Sequence, residues 1–393
     1  MPSPHRAHWT LDPEVTFLNH GSYGACPAPV LAAQTEWRAR IEREPVLFLG
    51  RQLEHHLDDA RHALAAFLDA DAEDLAFVTN ATTGVNTVLE SLVLAPGDEL
   101  LLTDHGYNAC KNAAMRVAAR AESSVRIASV PFPIRDPDDV LAAILDAVRP
   151  TTRLALIDHV TSPTGLVFPI ERLIAELERR GVPTLVDGAH APGMLDLDLG
   201  SLGAAYYTGN CHKWLCAPKG AAFLWVRPDL QAGVRPLVIS HGANSPRTDR
   251  SRFRLEFDWV GTDDPSAILC VPAALRFLDG LYPGGIDELR RRNRERALQA
   301  RGLLLERLAI PPPAPDSMIG SLASVPLPDA PSDELPLPRE SDPLQRALFE
   351  HHRIEVPVQY WPAPPARLLR ISSQAYNDLD EYRVLAAALS ALL

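Results

Sequence analysis

The sequence predicts a large doubly wound α/β domain with a mainly parallel sheet, joined to a smaller α+β domain. Three observations predict it. From about residue 75 to 226, short β-like runs alternate with helical stretches. Those runs are apolar on both faces, as strands covered by helices on both sides must be. The C-terminal third breaks the alternation with two long, charged helical stretches, and 393 residues exceed one compact core.

The predicted elements follow in order. "LAFVT" (75–79) precedes a helix over Thr82–Leu94, "ELLLT" (99–103) a helix over Tyr107–Arg120, and "SVRIASV" (124–130) a helix over Asp138–Val148. "RLALID" (153–158) leads to a helix over Ile170–Arg180, then come "PTLVD" (183–187), "AAYYT" (204–208) and "AAFLWV" (221–226). In the tail, helices over Ile286–Leu308 and Leu379–Leu392 enclose strands in "IGSLASV" (319–325), "IEVPV" (354–358) and "RLLRIS" (367–372). Residues 311–343 hold ten of the 36 prolines and read as loop and turn inside the smaller domain. The expected division is residues 21–265 for the large domain and 1–20 with 266–393 for the small one.

Composition excludes several classes. A net charge of −12 disfavours nucleic acid and anionic membranes as partners, and no apolar run approaches membrane-spanning length. The start, "MPSPHRAHWTLDPEV", has no apolar core of a secretory signal, so a cytoplasmic location is expected. Five scattered cysteines argue against a disulfide framework.

Ligands of open α/β sheets collect at the carboxyl ends of the strands, so the residues after each strand form one constellation. "NATTGVNTVL" opens a helix after a strand, where backbone N–H groups and the hydroxyls of Thr82 and Thr83 suit a phosphate or simply cap the helix. "TLVDGAHAPG" ends a strand in Asp187, a partner for a protonated aromatic nitrogen or an N-cap. "TGNCHKWLCAPKG" ends another strand, and Lys213 between His212 and Trp214 is a candidate nucleophilic amine. Cys211, His212 and Cys216 lack a second ligand pair, so no metal site is expected. Phosphate cradle, aspartate and lysine together are the three groups that pyridoxal phosphate requires.

"LNHGSYGACP", "NATTGVNTVL", "DHGYNACKN", "DHVTSPTG", "VDGAHAPG", "TGNCHKWL", "WVGTDDPSAIL" and "LRISSQAYN" resemble the class V aminotransferase family of fold-type I pyridoxal-phosphate enzymes, within it the isopenicillin-N-epimerase-like branch. The resemblance runs from about residue 10 to the C-terminus. It implies that Lys213 holds the cofactor as a Schiff base and then moves the substrate α-proton in the external aldimine. It implies that Asp187 keeps the pyridinium nitrogen protonated and that His190 contacts the phenolic oxygen. Thr82, Thr83, Thr208 and His212 would bind the phosphate, with Thr262 reaching in from a second subunit of a homodimer. Tyr107, rather than His105, would stack on the ring. Arg370 would clamp the α-carboxylate of an amino-acid substrate with help from Asn19. His241, in a polar stretch over 238–253 that reads as a mobile flap, would meet the substrate side chain, and Arg252 and Arg254 would face the partner's cofactor site.

Two departures bear on the reaction. Cysteine desulfurases of this kind carry a cysteine before the C-terminal arginine, and none lies between Glu355 and Arg370. Ser162 stands where aminotransferases commonly have an asparagine, which counts against transamination. Epimerisation or racemisation is the leading expectation, with a C–S lyase as the alternative; both begin with α-proton removal by Lys213, and in both Tyr107 would act as an acid.

Overall fold

The structure, a computed structural model, describes residues 3–332 and 341–393. Part of the predicted proline-rich loop, residues 333–340, lies outside the described residues. Twelve strands are described. β1 is Thr16–Phe17, β2 Leu75–Val78, β3 Glu99–Thr103, β4 Ser124–Ala128, β5 Thr152–Asp158 and β6 Thr184–Asp187. β7 is Tyr206–Asn210, β8 Ala222–Val226, β9 Leu322–Leu327, β10 Ile354–Glu355, β11 Val358–Tyr360 and β12 Arg367–Ser372.

β2 to β8 form one sheet in the order β2-β8-β7-β6-β5-β3-β4, with β8 alone reversed. β3, β6, β7 and β8 are buried along their whole length, as strands covered by helices on both faces are. β4 is the exception: at the sheet edge it is largely exposed, and Ile127 faces solvent. The helices bury one stripe each. Ile170, Leu173, Ile174 and Leu177 are the buried positions of Ile170–Arg179, at the spacing of an amphipathic helix.

β9, β11 and β12 form an antiparallel sheet with β12 central, packed under the helices Gly285–Leu308 and Leu379–Leu392. Asp378 and Glu381 cap the second helix reciprocally, which sets its start. Chain start and C-terminal part are joined by β1, which pairs in parallel with β10. Among the described residues no helix is long and apolar enough to cross a membrane.

β3 leads outward to the edge strand β4, whereas β5, β6 and β7 continue in the opposite direction. The order therefore reverses between β3 and β5, where side-by-side strands send their connections to opposite faces and leave a crevice.

Candidate active site

A cavity of about 410 Å³ occupies that crevice. Five strand ends contribute to it: Asn80 and Thr82 after β2, Tyr107 after β3, Asp158 and Ser162 from β5, Asp187 and His190 from β6, and Asn210, His212 and Lys213 from β7. Ser22 and Tyr23 close it from the N-terminal segment.

Lys213 is the chemical centre. Desolvation in the cavity wall, then the charge of Arg370, lowers its amine to about 8. Its Nζ lies 3.2 Å from His190 Nε2. The Trp214 indole N–H donates to His190 Nδ1 at 3.3 Å, so the neutral ring carries its proton on Nε2 and can donate it to the lysine only when that amine is free. Burial and the lysine charge hold His190 well below the usual imidazole range, which keeps it in that form.

Asp187 accepts the Ala189 N–H on Oδ1 at 3.0 Å and the Cys110 thiol on Oδ2 at 3.2 Å. Asp158 is its in-register neighbour on β5. Burial raises both carboxyls, Asp158 far above the usual range with the Asp187 charge as the next cause. Two adjacent buried carboxyls favour a single shared negative charge.

The segment that carries Lys213 is braced by residues to which the sequence reading attached no role. His20 is fully buried, donates through Nε2 to the Lys213 carbonyl at 3.0 Å and accepts the Tyr376 hydroxyl on Nδ1 at 2.8 Å. Burial lowers this histidine to about 3, which keeps it neutral. Gly24 has φ +71°, and a Cβ there would meet the His212 carbonyl at 2.1 Å. The motif "NHGSYG" is thus a backbone clamp, and its invitation to read glycine as close approach was the available signal.

Among the described residues Arg370 is buried without an acidic partner. It donates to the Ser162 carbonyl at 2.5 Å and hydroxyl at 3.2 Å and to the Ser22 hydroxyl at 3.2 Å, while its Nε has no partner. Burial lowers it to about 10, so it is still a cation at neutral pH. A buried cation of this kind calls for an anion, and its hydroxyl partners line the cavity.

Several expected residues lie elsewhere. Thr208 is on β7 beneath the helix Ala81–Ser91, where its hydroxyl donates to Phe223 O and fills the space that a Gly84 Cβ would need. Asn210, two residues along the same strand face, lines the cavity instead and accepts the Ala81 N–H at 2.8 Å. Thr83 bonds Asn80 and Thr79 and borders an adjoining apolar cavity. Asn19 donates to Glu355 and accepts from Ser22, so it reaches Arg370 only through that serine. His105 is buried between Thr164 and the Val130 carbonyl, outside the cavity that Tyr107 lines.

In the structure the stretch over 238–253 carries ion pairs to a neighbouring helix. Arg247 pairs with Glu54 and Arg250 with Asp58, which fasten it to the helix Leu53–Phe67 and leave His241 in a separate cavity. Arg254 is buried against Asp58, Glu73 and Asp258, and Arg252 pairs with Glu256. Thr262 is exposed, between Gly261 and Asp263 at the rim of the adjoining apolar cavity. All five cysteines are buried, none lines the site cavity, and no metal-holding group of His, Cys, Asp or Glu occurs among the described residues.

Comparison with known proteins bears on the family and the fold. Residues 26–318 match the family model described as aminotransferase class V. The chain is 40% identical to an isopenicillin N epimerase of Amycolatopsis lactamdurans, over 98% of this chain and 97% of the relative. It is 32% identical to a probable chloroplastic L-cysteine desulfhydrase of Arabidopsis thaliana, over 97% of this chain and 84% of the relative. Among solved structures, the cystine C–S lyase C-DES in complex with cysteine persulfide superposes with a TM-score of 0.79 at 25% identity, covering 96% of this chain and 98% of that one. With its doubly wound sheet, strand-end lysine and near-complete match to these relatives, the chain belongs to the class V aminotransferase family, enzymes that use pyridoxal phosphate.

Proposed function

We propose that this enzyme epimerises or racemises an amino acid at its α-carbon. The observation that carries the reading is the placement of two proton carriers on opposite flanks of one cavity. Lys213 enters after β7, and Tyr107 enters after β3, with β6 and β5 between them. Burial raises the Tyr107 hydroxyl, so it retains its proton at neutral pH and can donate it. The identity to isopenicillin N epimerases supports the same reading.

The donor set fits pyridoxal phosphate: a depressed lysine amine, a carboxyl on the neighbouring strand, and the positive end of the 11-residue helix Ala81–Ser91. When bound, the cofactor supplies an electron-accepting ring that spreads the charge left at Cα. Thr82, Asn210 and His212 would take the phosphate, Asp187 the ring nitrogen, His190 the phenolic oxygen and Tyr107 the ring face. Arg370 would hold the substrate carboxylate. Lys213 Nζ would then remove the α-proton, and the Tyr107 hydroxyl would return one to the other face.

Incubation of L-amino acids in deuterated water should place deuterium at Cα and build up the opposite configuration, read by NMR and chiral chromatography. A C–S lyase is the second reading, favoured by the desulfhydrase relatives and the likeness to the cystine lyase. Release of pyruvate and a sulfur leaving group from cysteine derivatives, with no change of configuration, would replace the first reading by the second.

The lysine value sets a pH dependence. Its folded value lies below the ordinary 10.5, so the amine is protonated below about 8 and free above it. Uptake of pyridoxal phosphate by the apoprotein should therefore accelerate as pH rises from 7 to 9. A flat profile in stopped-flow absorbance would remove Lys213 from that role.

The active assembly is proposed to be a homodimer in which Thr262 serves the neighbour's phosphate. Leu237, Val238 and Val260 are exposed around the apolar cavity that shares Thr79 and Gly220 with the site, a surface suited to a second copy. Light scattering should give a dimer, and Val238→Asp should give a monomer with weakened cofactor binding. An active monomer would contradict this.

A further inference from the structure

Cys110 lies one turn beyond Tyr107, in the first turn of the helix Asn108–Arg120. Much of its surface belongs to an apolar cluster with Val85, Leu102 and Ala114, and packing alone would account for a cysteine there. Its sulfur is 3.2 Å from Asp187 Oδ2, and against an ionised carboxylate a thiol can only donate. Among the described residues the Asp187 carboxylate has no salt bridge, only the hydrogen bonds from Ala189 and Cys110. Its orientation therefore depends on two donors, the Ala189 N–H on Oδ1 and this thiol on Oδ2. The charged and titratable groups that face it are Asp158 from β5, Lys213 from beyond β7, Tyr207 on β7, Tyr107 after β3 and Cys110 itself; Lys111 near Asp158 gives its ammonium to the Asp104 carbonyl.

We propose that Cys110 is a positioning residue whose thiol holds Asp187 Oδ2, so that the carboxylate keeps one direction toward the ring nitrogen of pyridoxal phosphate. The inference rests on Asp187 as the partner of that nitrogen. A thiol suits the task because it is a weak donor. It orients the carboxylate while leaving most of its negative charge for the ring, whereas an arginine in its place would neutralise it.

Cys110→Val and Cys110→Ser separate this role from packing, because the two roles rank them oppositely. Valine keeps the apolar contact and loses the donor; serine keeps a donor and places a hydroxyl in the apolar cluster. Two readouts are used on the purified protein: the dissociation constant of pyridoxal phosphate, from quenching of tryptophan fluorescence, and the pH midpoint of the bound cofactor's visible absorbance. C110V is expected to bind the cofactor about tenfold more weakly, the low end for one hydrogen bond to a charged group, and to show a displaced midpoint. C110S is expected to stay nearer the wild type in both, although its apoprotein melts at a lower temperature than that of C110V.

Cofactor binding and midpoint unchanged in C110V, or C110S affected as much as C110V, would overturn the inference. Asp187→Asn separates the two levels. An unchanged D187N protein would overturn the assignment of Asp187 and this inference with it, whereas an altered D187N beside an unchanged C110V overturns the inference alone. If C110V does not fold, Cys110→Ala carries the same comparison with serine.

Discussion

Replacing Lys213 by alanine is expected to abolish the visible absorbance of the bound cofactor and to lower turnover by roughly a thousandfold or more, because covalent attachment and proton transfer fail at one amine. The two losses should appear together. Among the described residues Nζ has only His190 within hydrogen-bond distance, while the bracing of the segment runs through the Lys213 carbonyl and His20. The linkage sign agrees. A lysine held at about 8 is disfavoured by folding in its charged form, so below that pH its removal should leave the apoprotein melting temperature unchanged or raised. Persistence of a borohydride-reducible adduct in the alanine variant would move the covalent role to another amine, with Lys219, whose ammonium is committed to the Gly24 carbonyl at 2.9 Å, the nearest alternative in sequence.

Replacing Arg370 by glutamine should raise the substrate KM by roughly a hundredfold or more, the cost of about 2–5 kcal/mol for removing one partner of a buried charge pair. Cofactor absorbance should be retained, since no phosphate or ring contact is assigned to this residue. Arg370→Lys should rescue little, because a lysine offers a point charge in place of the planar fork that spans Ser22, Ser162 and a carboxylate. The group stays protonated through pH 9, so the KM effect should be flat from pH 6 to 9. An unchanged KM for an α-carboxylate substrate would remove Arg370 from substrate binding.

These two predictions differ in how visible their residues are in the sequence. Lys213 and Asp187 follow apolar runs that must be buried strands, so the rule that ligands gather at strand ends points to them directly. Arg370 lies inside its strand, fully buried, and only the family resemblance singled it out; the missing counter-charge that gives it a reason became visible once Ser22 and Ser162 were placed around it. Thr208 shows the opposite case. Its sequence position favoured the phosphate, yet the close approach of Gly84 buries it beneath a helix, and the next residue on that face, Asn210, reaches the cavity. The stretch with His241 reads as polar and mobile, but in the structure ion pairs of Arg247 and Arg250 join it to a helix nearly 200 residues earlier in the chain.

By itself the sequence determined the succession of strands and helices, the mainly parallel sheet and the lysine and aspartate at its centre, because strand burial and strand ends are local properties of an apolar run. Only the tertiary structure decided which neighbours those residues meet. The Trp214 bond that sets the His190 proton, the His20 brace on Lys213, the acid-free burial of Arg370 and the Cys110 contact on Asp187 all depend on segments far apart in sequence. A side chain's hydrogen-bond partners and its solvation follow from packing between elements, and no local pattern encodes them.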